Sequence, residues 1–123
     1  MRSLPDTGPV TMINLLRFHD RATDGSGTGW EAYTRYSENT MPLIKQRGGT
    51  VLWAGKIEGA AYGDVGKGWT YAVLVQYPSR AAFLDMVTSD DYARGNVHRE
   101  AAVADHVILA STETYSKLAR PIG

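Results

Sequence analysis

A chain of 123 residues has the length of one domain, and its 43% apolar and 21% charged residues are those of a chain that buries a core rather than one that stays disordered. Thirteen Lys and Arg balance thirteen Asp and Glu, so no global field gathers phosphate backbones or anionic lipid, and neither nucleic acid nor a membrane is an expected partner. The absence of cysteine excludes disulfides, thiolate nucleophiles, iron–sulfur centres and Cys-based zinc sites. No apolar run reaches the length of a signal peptide or a membrane span, and the expected location is cytoplasmic.

Residues 1–9 carry Pro5, Gly8 and Pro9 and read as a flexible segment. The first strand is expected over 10–18, with apolar side chains on both parities, so both of its faces are covered. After a polar loop at 19–28, closed by Thr28 as a potential cap, a helix is expected over 29–47 with Trp30, Tyr33, Tyr36, Met41, Leu43 and Ile44 on its apolar stripe. Pro42 removes one intrahelical bond and predicts a kink or a change of helix over 38–41, and Gly48 or Gly49 ends the segment in a left-handed turn.

A second strand over 50–57 places Val51, Trp53 and Ile57 on one face and Leu52 and Ala54 on the other. A glycine-rich connection at 58–68 leads to the third strand at 69–77, again apolar on both faces. Pro78 breaks it, and Ser79 caps a helix over 80–87 with Arg80 on its surface. A turn, a short helical stretch at 97–104, a last strand over 105–114 and a tail at 115–123 complete the chain. The domain thus occupies 10–114, and the order β-α-β-β-α-β is the split arrangement of the ferredoxin-like α+β class, with both helices on one face of a four-stranded antiparallel sheet. Nothing left in the chain covers the other apolar face, so a homodimer formed through the sheet face is expected.

Particular stretches carry a family likeness. MINLLRF at 12–18, the pair Tyr33 and Tyr36, LIKQRGGTVLWAG at 43–55, VLVQYPSRAAFLDMVTSDDY at 73–92 and the following Arg99 resemble the DUF1330 family, over roughly residues 10–112. That resemblance implies membership of the dimeric α+β barrel group, which includes small antibiotic-biosynthesis monooxygenases, stress-responsive barrel proteins and muconolactone isomerase. It also implies a pocket in each subunit between helices and sheet, mapped here onto Asn14, Tyr33, Tyr36, Trp53, Ser89, Tyr92 and Arg99.

His19, His98 and His106 ionise near neutrality and are where acid–base chemistry is first sought. His98 or His19 is the expected proton acceptor, with solvent-facing or loop histidines as the structural alternative, and His106 is expected to line a pocket end or to sit plainly at a strand edge. Arg99 with Asn14 would hold an anionic oxygen, or else Arg99 pairs with a neighbouring carboxylate and Asn14 satisfies a loop. Tyr33, Tyr36, Trp53, Ser89 and Tyr92 would shape a slot for a compact apolar or aromatic compound. No G-x-G-x-x-G, G-x-x-x-x-G-K-[ST] or H-E-x-x-H pattern occurs, so no NAD, ATP, zinc or other cofactor is implied. Two functions fit: a cofactor-independent oxygenase or isomerase, or a non-catalytic ligand-binding or structural homodimer.

Overall fold

The computed structural model describes residues 8–118 apart from Val65 and Lys67. Most of the segment expected to be flexible at 1–9, and the tail beyond residue 118, therefore lie outside the described residues. The elements are β1 (Val10–Phe18), α1 (Gly29–Gln46), β2 (Thr50–Lys56), β3 (Tyr71–Tyr77), α2 (Arg80–Val87), α3 (Asp90–Ala102) and β4 (Val103–Ser111).

The strands form one sheet in the order β2-β3-β1-β4, every neighbouring pair antiparallel. The two crossovers bring β1 and β3 to the centre and send β2 and β4 to opposite edges. The first and last strands in space therefore have no way to pair, and the sheet is open. The ferredoxin-like arrangement holds, but the barrel implied by the family resemblance does not.

One face of the sheet packs beneath the helices. Val10, Met12 and Leu16 of β1 and Val73, Val75 and Tyr77 of β3 are buried there against Leu43 and Ile44 of α1 and Met86 of α2. Burial of each such large side chain contributes roughly 1.5–3 kcal/mol of hydrophobic stabilisation. The opposite face carries Ile13, Leu15, Leu74 and Val107, half-buried, and the exposed Leu109. At its end Arg17 pairs with Asp105 through Nε at 3.2 Å. Residues 111–116 and Leu118 border a groove on this face together with Ile13, Leu52 and Leu74.

Local chemistry sets the helix boundaries. Thr28 Oγ1 accepts from the Glu31 backbone N–H at 3.0 Å while the Glu31 carboxylate accepts from the Thr28 N–H at 2.9 Å, a capping box worth about 1 kcal/mol. There is no change of helix at Pro42: α1 remains helical through it, because the ring stands on the exposed side, where the Glu38 carbonyl it deprives of a donor lies near water. Gly48 closes α1 at φ +75°, conformational space that a side chain would make costly.

The final helix is longer than the sequence reading gives it. Residues 90–96 were expected to turn, yet α3 starts at Asp90, capped by Ser89 Oγ accepting from the Tyr92 N–H at 3.1 Å and assisted by two aspartates in the first turn. Gly95 in its interior lies so close to α1 that an added Cβ would stand 2.0 Å from Asn39 Nδ2. Arg80, expected at the surface, is 9% exposed, its position at the start of α2 turning it inward.

A second difference lies in β2. The pairing with β3 steps from Val51↔Val75 to Trp53↔Leu74, leaving Leu52 as an extra residue in a bulge. Val51 and Ala54 consequently both face the helices, while Trp53 turns to the opposite face with Leu74 and packs on Gly55. Simple alternation does not describe this strand.

Candidate functional site

A cavity of about 190 Å³ lies between the helix-covered face of the sheet and the helices. Its floor comes from alternate residues of the central strands, Met12 and Asn14 of β1 and Tyr71, Val73 and Val75 of β3, which the pleat directs to one side. Its roof comes from α1, where Tyr33, Tyr36, Ser37, Thr40 and Ile44 recur at intervals of three and four. Phe83 and Met86 of α2 and Tyr92 of α3 close one flank, and His106 of β4 joins the floor. Met41, Ala54 and Ile108 border it and are exposed, so the cavity reaches solvent at its rim.

A single hydrogen-bonded chain runs from the surface of α3 to the middle of the sheet. Asn96 Nδ2 donates to Glu100 Oε1 at 3.0 Å, and Arg99 Nε donates to Asn96 Oδ1 at 2.6 Å. Arg99 Nη1 lies 3.2 Å from His106 Nδ1, and His106 Nε2 lies 2.9 Å from Asn14 Oδ1. A guanidinium only donates, so Nδ1 accepts and the proton of the neutral ring is on Nε2, directed at Asn14. Asn14 Nδ2 then donates to the Met12 and Val73 carbonyls at 3.2 and 3.3 Å.

Electrostatics support the same protonation state. Burial, and then the charge of Arg99, push the His106 pKa down from 6.5 to about 4, so the ring is neutral at neutral pH. Burial also pushes Tyr33, Tyr36 and Tyr77 well above the usual phenol range, with neighbouring tyrosines adding to it. The phenols stay protonated. Tyr36 and Tyr92 meet hydroxyl to hydroxyl at 2.9 Å with their rings edge to face, which uses one of their two O–H donors on each other.

The residues singled out from the sequence divide into two sets. Asn14, Tyr33, Tyr36, Tyr92 and His106 border the cavity, and Arg99 stands behind His106. Ser89 caps α3 and donates through Oγ to the Met86 carbonyl at 2.7 Å. Trp53, 46% exposed, stands on the other face of the sheet because of the bulge. His19 lies at the end of β1, its backbone N–H bonded to the Ala102 carbonyl at 2.9 Å, and His98 is on α3 with a buried Nδ1 that has no hydrogen-bond partner; neither borders the cavity. Asp105, next in sequence to His106, points to the opposite face and pairs with Arg17.

Sequence reasoning did not single out Thr40. It is 4% exposed, borders the cavity, and its hydroxyl has no partner. The available signal was a threonine on the same helical stripe as Tyr33, Tyr36 and Ile44. Among the described residues no three His, Asp or Glu side chains gather as metal ligands, and no helix is long and apolar enough to cross a membrane.

The comparisons with known proteins agree with this architecture. A protein of unknown function from Rhodopseudomonas palustris is 33% identical, with 94% of this chain and 89% of that one covered at a TM-score of 0.84. A hydroxynitrile lyase from Passiflora edulis shares the fold at 19% identity, covering 88% and 97% of the two chains with a TM-score of 0.62. A dimeric ferredoxin-like protein of unknown function from Thermobifida fusca does so at 14% identity, covering 89% and 100%, TM-score 0.55. No curated protein matches the chain. The family model described as domain of unknown function DUF1330 matches residues 27–112, which takes in α1 through β4, and the chain belongs to that family.

Proposed function

We propose that the cavity binds a compact apolar or aromatic small molecule and that the chain acts on it without a cofactor, as an isomerase or oxygenase. The observation that carries this reading is the composition of the cavity wall. Apolar side chains supply most of the surface, and the hydroxyls of the protonated Tyr33 and Tyr36 of α1, with that of Tyr92 of α3, interrupt it. Apolar contact would hold the body of the ligand, while a fixed O–H donor in a water-poor site would stabilise charge developing on a substrate oxygen. The fold it shares with a hydroxynitrile lyase makes small-molecule chemistry on this scaffold reasonable.

One observation favours the non-catalytic alternative. Both nitrogens of His106 are engaged, and His19 and His98 do not border the cavity, so no ready proton acceptor faces a bound molecule. In that reading the same wall binds and releases a ligand unchanged. A homodimer through the sheet face that carries no helices belongs to the proposal under either reading. It is supported by the apolar side chains Ile13, Leu74 and Leu109 on that face and by the dimeric state named for the Thermobifida fusca protein.

Thermal-shift measurements with phenols, quinones and short carboxylic acids test the binding. A ligand held only by the folded state raises the melting temperature by mass action, by about 2.7 kcal/mol of stabilisation at a hundred times its Kd. No shift with any of these compounds at millimolar concentration would overturn the reading.

A further inference from the structure

Thr40 departs from the way this chain treats Thr34 within α1 and Thr88 at the C-cap of α2. Thr34 Oγ1 donates to the Trp30 carbonyl at 3.0 Å and Thr88 Oγ1 to the Leu84 carbonyl at 2.7 Å, the usual bond back to the preceding turn. The Thr40 hydroxyl is more deeply buried than either of these residues and makes no such bond. A buried hydroxyl with no partner is unfavourable, and a valine would fill the same space without that cost. Thr40 borders the cavity, so a small shift of its side chain would let a bound molecule complete the hydroxyl.

The remaining polar functions of the wall narrow the ligand further. His106 and the Asn14 amide N–H groups are used up within the chain, and the Tyr36–Tyr92 contact consumes one phenol donor, leaving the other free. Among the described residues that border the cavity there is no Asp, Glu, Lys or Arg. Arg99, the cation of this network, is directed at His106 and Asn96. A carboxylate or an ammonium carried past the open rim into the body of the cavity would lose hydration and touch only neutral side chains; an ammonium would also be repelled by Arg99, and a carboxylate would find that charge behind His106 and out of direct contact.

We infer that the ligand is an uncharged oxygen-bearing molecule, a ketone, ester, alcohol or un-ionised phenol, and that Thr40 selects it by hydrogen bonding to that oxygen. This rests on the cavity being the small-molecule site, and it names the class of compound that site takes. Thr40 is thereby a specificity-determining residue that sequence and family membership leave unassigned.

Calorimetric titration and thermal shift of the wild type and Thr40→Val test the inference, with cyclohexanone and phenol as neutral oxygen-bearing probes, toluene as the apolar control, and benzoate and benzylammonium as charged ones. Cyclohexanone and phenol are expected to bind the wild type more tightly than toluene and to lose about tenfold in affinity in T40V, the effect of one hydrogen bond. Toluene affinity is expected to be unchanged, the charged probes are expected not to bind, and unliganded T40V is expected to melt at a higher temperature than the wild type. Equal binding of the neutral probes to both proteins, tight binding of benzoate, or a lower melting temperature for unliganded T40V would each overturn the assignment while leaving a small-molecule site in place. Absence of binding by every probe to the wild type would overturn the site itself.

Discussion

Acid is expected to destabilise this protein through one ring. In the folded state His106 is neutral, accepts from Arg99 and has its pKa lowered from 6.5 to about 4; in the unfolded chain it returns to its ordinary value. Between those two pH values the unfolded state binds the extra proton, so stability increases with pH across the window and is lost as pH falls through it. At about 1.4 kcal/mol per pKa unit the full effect is roughly 3 kcal/mol, and partial solvent access to the ring reduces it to roughly 2 kcal/mol. Urea denaturation at pH 7 and pH 4.5 should therefore show the wild type losing about 2 kcal/mol more than His106→Gln, whose side chain can accept from Arg99 and donate to Asn14 without titrating. The subtraction cancels the contribution of carboxylates elsewhere, such as Asp24 and Glu31, whose pKa values are lowered by hydrogen bonds from Ser26 and Thr28. Equal losses in the two proteins, or an NMR titration placing His106 near 6.5, would refute the buried neutral ring and the protonation pattern built on it.

Two other perturbations probe the scaffold. Gly95→Ala would ordinarily favour a helix, yet here the new methyl meets Asn39 at its amide and at its Cβ, 2.8 Å away, and a loss of roughly 1–3 kcal/mol is expected from urea midpoints, partly recovered in Asn39→Ala/Gly95→Ala. If the sheet face carries a second copy, sedimentation at low micromolar concentration should give twice the chain mass for the wild type and a single chain for Ile13→Glu; a wild type that sediments as a single chain would remove the dimer from the proposal.

Much of the fold was legible because its central strands are apolar on both parities, which only a doubly covered strand requires. The capping residues Thr28 and Ser79 were readable for the same local reason that they work: a hydroxyl immediately before an apolar stripe. α3 was partly hidden, since Arg94, Gly95 and Asn96 interrupt the pattern of a helix former; the glycine is there for the approach of α1, a tertiary requirement that no local rule contains. Trp53 was placed with the pocket by the family resemblance and on the face of Val51 by alternation, and one extra residue in β2 turned it to the opposite face. Asn14 and His106 were each identifiable as polar side chains in apolar strands, but their contact spans 92 positions and depends on the register of β1 with β4. Thr40 escaped notice because its distinguishing property is a bond it does not make, and that is visible only in three dimensions.

The extra residue in β2 also bears on how copies of this chain avoid one another. β2 is an outermost strand, and its free peptide groups are a template on which another extended chain could continue the hydrogen-bonding ladder. Leu52 breaks the regular repeat of those groups, so an incoming straight strand cannot match donors to acceptors along the whole length. Deleting Leu52 would even out the repeat and, by the same step, convert a guarded margin into one open to fibrous growth.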